Sequence, residues 1–246
     1  MAGTASPTVD VFIRSYHRDR AWLALALRAV ARYLHGHRRV VVVVPRASLD
    51  RMGGTGDVAI DHCENYADDY LGQQITKLHA DLHTDADVIL HLDSDQVFVA
   101  PCDVRQLFDG AGVRIDYRAD GNRPATDGWR RAAVDFFGDE PPWDLTVPPP
   151  LAVPRELYAG LRAFCLRRHG CTLTDYALRQ GADRFCEFAL LRGYALRFGG
   201  AVCTWTGVPP LPQCRTFWSR RETPADVAAQ LPAALAQESW TTSPSP

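Results

Sequence analysis

One lysine stands in the whole chain, Lys77; apart from histidine, every other basic side chain is arginine. A bias of that kind is ordinarily genomic. Charge of one sign is also missing: the formal net charge is −2, and the pairs Arg38-Arg39, Arg130-Arg131, Arg167-Arg168 and Arg220-Arg221 are offset by acidic residues. That balance argues against a general nucleic-acid binder and leaves local anion binding open. No CxxC pair occurs, and the cysteine count of seven is odd. The thiols therefore read as reduced and mostly buried, in a reducing compartment, and no spacing supports a zinc site. Residues 1–10 hold no basic segment followed by an apolar core, so no signal peptide is expected. The purely apolar runs, such as Val40 to Pro45, are far too short to span a bilayer. These absences lead to the expectation of a soluble, cytoplasmic protein with no transmembrane segment and no nucleic-acid partner.

What is present is ordinary for a globular protein: 246 residues, 46% hydrophobic and 23% charged. One α/β domain, or one domain with a small lobe, is the natural size class. The most informative stretch is residues 86–101. An apolar strand, Val88 to Leu92, runs straight into Asp93-Ser94-Asp95, and a second apolar run closes on Pro101. Two carboxylates at the end of a buried strand are costly unless they hold a cation or do chemistry. In an open parallel sheet, that end of the strand is where ligands sit. Upstream, Leu71, Ile75, Leu78 and Leu82 give one apolar helical face, and Lys77 lies off it. A lone lysine hints at a place for a compact ammonium rather than a planar guanidinium. A solvated helix-face lysine left by chance is the blander reading, and taken alone it is the stronger.

Elements alternate along the first hundred residues. Strands are expected at Val9–Ser15, Arg39–Val44, Val58–Ile60 and Val88–Leu92. Helices are expected at Asp19–Leu34 and around Lys77, with a short turn or helix at Ala47–Met52. This alternation indicates a doubly wound, Rossmann-like half over residues 9–101, after a flexible N-terminus at 1–8. Residues 102–236 form the other half of the same domain. There a strand is expected at Gly112–Arg118, a polar loop at 119–127 and a helix at Trp129–Phe137. The proline-rich stretch 138–150 should be irregular. Then come an extended Leu151–Pro154 and helices at Arg155–His169 and Thr174–Gln180. A helix over Asp183–Arg192 is expected to end at Gly193, with a last strand at Tyr194–Phe198. Residues 237–246 read as a disordered tail.

Three segments carry a family resemblance: Phe12-Ile-Arg-Ser-Tyr16, the stretch from Gln73-Gln-Ile-Thr-Lys77 to Leu92-Asp-Ser-Asp95, and Phe185-Cys-Glu-Phe-Ala-Leu-Leu-Arg-Gly193. Together they resemble the GT-A glycosyltransferases, in particular small bacterial and viral Asp-x-Asp members. In the last segment Cys186 stands where that group has serine and Arg192 where it has a second tyrosine. The likeness spans residues 9 to about 206. It implies a single GT-A domain and a metal-dependent transfer of sugar from a nucleotide-diphosphate donor to a glycan or other hydroxyl acceptor. Mn²⁺ or Mg²⁺ would offset charge on the departing diphosphate.

On that resemblance Asp95 is the first metal ligand. Asp93 orients ribose or a metal-bound water, or simply caps the turn. Ser94 lies between them in the donor site. Lys77 could place its ammonium on the diphosphate. Arg14 either faces the nucleotide or makes a strand-end salt bridge. Glu187, between Phe185 and Phe188, is the candidate base of an inverting transfer, desolvated on a largely apolar helix; otherwise it partners Arg184 or Arg192. Asp183, four residues earlier on the same helical face, is the fallback. Trp129, Trp143, Trp205 and Trp218 suit the apolar faces of sugars, with at most one or two expected to touch ligand. Asp116, Arg118, Asp120 and Asp127 could contact hydroxyls. Three alternatives stand beside this. Asp93-Ser94-Asp95-Gln96-Val97 also matches the nucleophile motif of haloacid-dehalogenase-type phosphatases, although that family usually opens with it. A nucleotide-sugar-binding protein without catalysis and a nucleotidyltransferase are the others.

Overall fold

The computed structural model describes residues 6–53, 58–119, 128–219 and 221–231. Segments rich in β-branched and apolar side chains form the central sheet. They are β1 (Val9–Arg14), β3 (Arg39–Pro45), β4 (Ile60–Cys63), β5 (Val88–Leu92) and β10 (Leu151–Pro154). Between β1 and β3 lie α1 (Arg20–Tyr33) and the two-residue β2 (Leu34–His35). Short α2 (Leu49–Met52) precedes β4, and α3 (Asp69–Lys77) precedes β5. Past β5 come β6 (Gln96–Phe98), β7 (Cys102–Asp103), β8 (Phe108–Asp109), β9 (Gly112–Asp116) and α4 (Gly128–Phe137). After β10 follow α5 (Glu156–His169), α6 (Leu173–Gln180), α7 (Glu187–Phe198), β11 (Cys203–Thr206), β12 (Cys214–Thr216) and α8 (Pro224–Gln230).

The sheet order is β10-β5-β1-β3-β4, parallel except for β10. The chain winds outward from β1 through β3 to β4, then returns to lay β5 on the other side of β1. That reversal opens a crevice at the carboxyl ends of β1 and β5, where open α/β sheets bind ligands. Register pairs Ile13 with Leu92, so Arg14 and Asp93 leave the sheet at the same level. The alternation of a buried strand divides the core in two. Phe12, Val41, Val43, Ile89 and Val153 face α3 and the helices α4 to α7. Val11, Ile13, Val42, Val44, Leu90 and Leu92 face α1 and α8. The protein is thus a mixed α/β fold, a mostly parallel sheet flanked by helices. Among the described residues no helix is long and apolar enough to cross a membrane.

Several expectations need correction. The third strand is Ile60–Cys63, not Val58–Ile60, and the strand from Gly112 stops at Asp116. The glutamate helix starts at Glu187 and runs through Gly193 to Phe198, so Tyr194–Phe198 is helix rather than strand. The reason is packing. A β-carbon on Gly193 would run into the Phe137 ring of α4, and one on Gly160 of α5 would run into the Tyr194 hydroxyl. Both glycines sit where neighbouring helices approach closely, and neither ends its own helix. The last strands are β11, parallel to β9, and β12, antiparallel to β6. The N-terminal expectation falls partly, and the C-terminal tail wholly, outside the described residues, as do Asp120 and Asp127.

Candidate functional site

The crevice opens into a cleft whose lining includes Asp93 and Asp95 after β5, Lys77 on α3 and Glu187 on α7. Helix α3 is capped by Asp68, whose carboxylate accepts from the Tyr70 and Leu71 N–H groups at 2.9 and 3.2 Å. Its apolar side (Leu71, Ile75, with Leu78 just beyond) packs on the sheet, and Tyr70, Gln73, Gln74 and Lys77 line the cleft.

Lys77 is 1% exposed, so it is not a solvated helix lysine. Its Nζ donates to Asp93 Oδ1 at 2.5 Å and to Glu187 Oε1 at 3.0 Å, and it lies 4.6 Å from the centre of the Phe188 ring. Burial opposes the ammonium, but the two carboxylates win and hold its pKa above the ordinary lysine value. Gln73 also approaches Asp93, with its Nε2 at 3.4 Å from Oδ1. Beneath Phe188, the His91 ring packs edge-on against Phe188 and Phe12, and its Nε2 meets the Tyr158 hydroxyl at 2.5 Å. Burial, then the charges of Lys77 and Arg192, push that imidazole down to about 3. It is a neutral support for the ring under the ammonium.

Asp95 is placed differently. Residues 214–219 pass across it: β12 pairs with β6, the Phe217 N–H donates to the Asp95 carbonyl at 2.8 Å, and the Ser219 N–H donates to Asp95 Oδ2 at 3.2 Å. Among the described residues no cation pairs with this carboxylate. Burial and then the Asp93 charge raise its pKa, against the Ser219 hydrogen bonds. Gln96 ties the turn together. Its Oε1 accepts from the Asp93 N–H at 3.0 Å, and its Nε2 donates to Thr216 Oγ1 at 3.1 Å and to the Pro149 carbonyl.

The remaining candidate residues divide clearly once placed in the fold. Ser94 is buried and hydrogen-bonds the side chain of Asp19, just before α1. Arg14 is fully buried in a two-pronged ion pair with Asp69 at the start of α3, and so forms the strand-end salt bridge. Asp183 sits on a short turn before α7 and is exposed, so the helical-face argument for it fails. Arg184 pairs with Asp135 at 3.6 Å and Arg192 with Asp116 at 2.6 Å, which leaves Glu187 to Lys77. Of the tryptophans, Trp129 and Trp218 line the cleft, while Trp143 stacks on Tyr117 and Trp205 packs at a tilt against both. Arg118 bridges to Asp144 across 3.7 Å.

Sequence reasoning missed three residues. Asp19 was read only as a helix start; burial, then the Asp95 and Asp69 charges, push its carboxyl up to about 6. Arg192, fully buried, donates to the Val147 carbonyl at 2.7 Å and so braces the wall formed by Thr146 to Pro149. Gln74 lies three residues after Leu71 and one before Ile75, beside the apolar stripe. A polar residue at that position was the available signal.

A divalent cation can be tested against these side chains. Among the described residues no group of three His, Cys, Asp or Glu is placed to cage a metal. Mg²⁺ and related ions are commonly held by one or two carboxylates with phosphates completing the shell. Asp95, a hard oxygen donor with no cation among the described residues against it, fits that partial role. Asp93 has one oxygen engaged by Lys77. No protein-family model and no curated protein matches this chain.

Proposed function

We propose that the cleft carries out a metal-dependent glycosyl transfer from a nucleotide-diphosphate sugar to a hydroxyl acceptor, on a GT-A type of domain. The observation that carries the reading is the unequal treatment of the two carboxylates. Asp93 is neutralised by Lys77, whereas Asp95 stands at the switch point of the sheet with no cation among the described residues beside it. Asp95 would hold Mn²⁺ or Mg²⁺ under the diphosphate. When bound, such a cation offsets the charge that builds on the leaving group. Asp93, held by Lys77 and Gln73, orients the ribose or a water on the metal. Lys77 therefore acts on the donor through Asp93 rather than by touching the diphosphate. Glu187 takes the proton of the acceptor hydroxyl, and its pairing with Lys77 fixes its direction. Trp129, Trp218 and Tyr70 offer flat faces to sugar C–H groups.

The test is thermal stabilisation by nucleotide sugars with Mn²⁺. A donor at a hundredfold excess over its Kd should add about 2.7 kcal/mol, which is a rise of roughly 5–10 °C in Tm for a chain of this size. Asp95→Asn should keep the fold and lose the metal-dependent part of that rise. Two results would end the reading: a wild-type protein that responds to no nucleotide sugar, or an Asp95→Asn protein that responds as fully as wild type.

A further inference from the structure

Among the described residues, several buried side-chain atoms have no hydrogen-bond partner, and Gln74 Oε1 is the one whose residue lines the cleft. Gln74 is 2% exposed. A buried acceptor left unpaired loses its hydration and gains nothing in return, so its persistence at a ligand cleft needs a reason. A primary amide is also a poor choice for filling core space beside Leu71 and Ile75, where methionine or leucine would pack as well. The last torsion of a glutamine is soft, so the amide of a cleft-lining residue can turn its oxygen toward a ligand. The same cleft is lined by the Lys77–Glu187 pair and by Tyr70 and Phe188. A hydroxyl is the natural occupant: it donates one hydrogen bond and carries no charge to disturb the ion pair.

We propose that Gln74 is a specificity residue for the transferred sugar, its amide oxygen accepting a hydrogen bond from a hydroxyl of that sugar. The proposal rests on the glycosyl-transfer reading and adds to it which part of the ligand this wall recognises. Gln74 lies on α3 between Gln73 and Lys77, the two side chains of that helix that hold Asp93, and on the glycosyl-transfer reading this places it toward the donor. A site built to pair a substrate hydroxyl leaves its own polar group stranded when that hydroxyl is absent, and this is how such sites discriminate.

The experiment compares wild type with Gln74→Met, which keeps the side-chain length and removes the acceptor. Calorimetry with Mn²⁺ measures UDP, GDP, UDP-glucose, UDP-galactose, UDP-N-acetylglucosamine and GDP-mannose. Thermal melting is measured on the free proteins. Gln74→Met should bind UDP and GDP like wild type and lose about tenfold of the extra affinity contributed by the sugar. Its free form should melt at the same temperature or a few degrees higher, since an unpaired buried amide has been removed. A variant that binds the best nucleotide sugar as tightly as wild type overturns the proposal and leaves glycosyl transfer standing. So does a variant whose free form melts lower, which would make Gln74 a structural brace. A wild-type protein that binds every nucleotide sugar no better than its parent diphosphate overturns the glycosyl-transfer reading itself, and this proposal with it.

Discussion

Replacing Lys77 by methionine keeps the length of the stem and deletes the charge. In the native protein that charge lies between Asp93 and Glu187, with the Phe188 ring against it, and the side chain is almost wholly buried. Removing one member of a buried ion pair costs about 3–5 kcal/mol, because the partner is left charged and unpaired. Two carboxylates are stranded by the change, but Asp93 is 25% exposed and water can reach it. The expected loss is therefore near the lower end, about 3 kcal/mol, or roughly 6–12 °C in Tm. Equilibrium unfolding in urea at pH 7 measures it. The carboxylates raise the Lys77 ammonium above its ordinary value, so the stabilisation is complete below the unfolded lysine pKa and is lost only as pH rises through the higher folded value. At pH 7 all of it is read. Adding Glu187→Gln to Lys77→Met should recover part of the loss, with a coupling of about 1–3 kcal/mol between the two positions. A Lys77→Met protein within about 0.5 kcal/mol of wild type, the range of an ordinary surface change, would refute the triad. Strict additivity of the two substitutions would refute it as well.

Three further outcomes are expected. Gly193→Ala should destabilise the protein by about 1–3 kcal/mol through the clash with Phe137, even though alanine is the better helix former by about 1 kcal/mol; a raised urea midpoint would contradict the packing described for α7. At Asp10, burial pushes the carboxyl up, but hydrogen bonds from Arg38, Thr84 and Arg39 hold it at about 2. Its folded value lies below the unfolded one, so about 2 kcal/mol of stability is present above pH ~4 and is lost as pH falls through ~2; Asp10→Asn should lower stability at pH 7 and flatten that acid limb, and an unchanged pH profile would count against it. Trp218 lines the cleft while 53% exposed, so Trp218→Ala should weaken stabilisation by nucleotide sugars and leave the free protein's Tm almost unmoved; a large fall in Tm without ligand would make it a packing residue.

The central sheet and the Asp93-Ser94-Asp95 turn were legible because they rest on local signals. A run such as Val40 to Val44 has few conformational choices besides a buried strand. Acidic residues directly after such a run mark the ligand end of the sheet whatever the rest of the chain does. The end of α7 was misread because a glycine at a helix terminus and a glycine at a helix crossing look the same in one dimension. Only the position of Phe137, more than fifty residues away, separates them.

The candidate site divides on the same line. The sequence pattern by itself marked Asp93 and Asp95 at the end of a buried strand and Lys77 as the lone lysine, whereas the roles given to Lys77 and Glu187 came with the resemblance. Tertiary structure decided what each of them faces. It turned Lys77 from a solvated helix position into the buried partner of Asp93 and Glu187, joining residues 110 apart in the chain. It closed Arg14 on Asp69 and moved Asp183 off the helix. Among the described residues, it left Asp95 without a cation and Gln74 Oε1 without a donor. An ion pair or an orphaned acceptor is a statement about distance in three dimensions. Long-range pairs such as these depend on how β1, α3, β5 and α7 converge, and no spacing along the chain encodes that convergence.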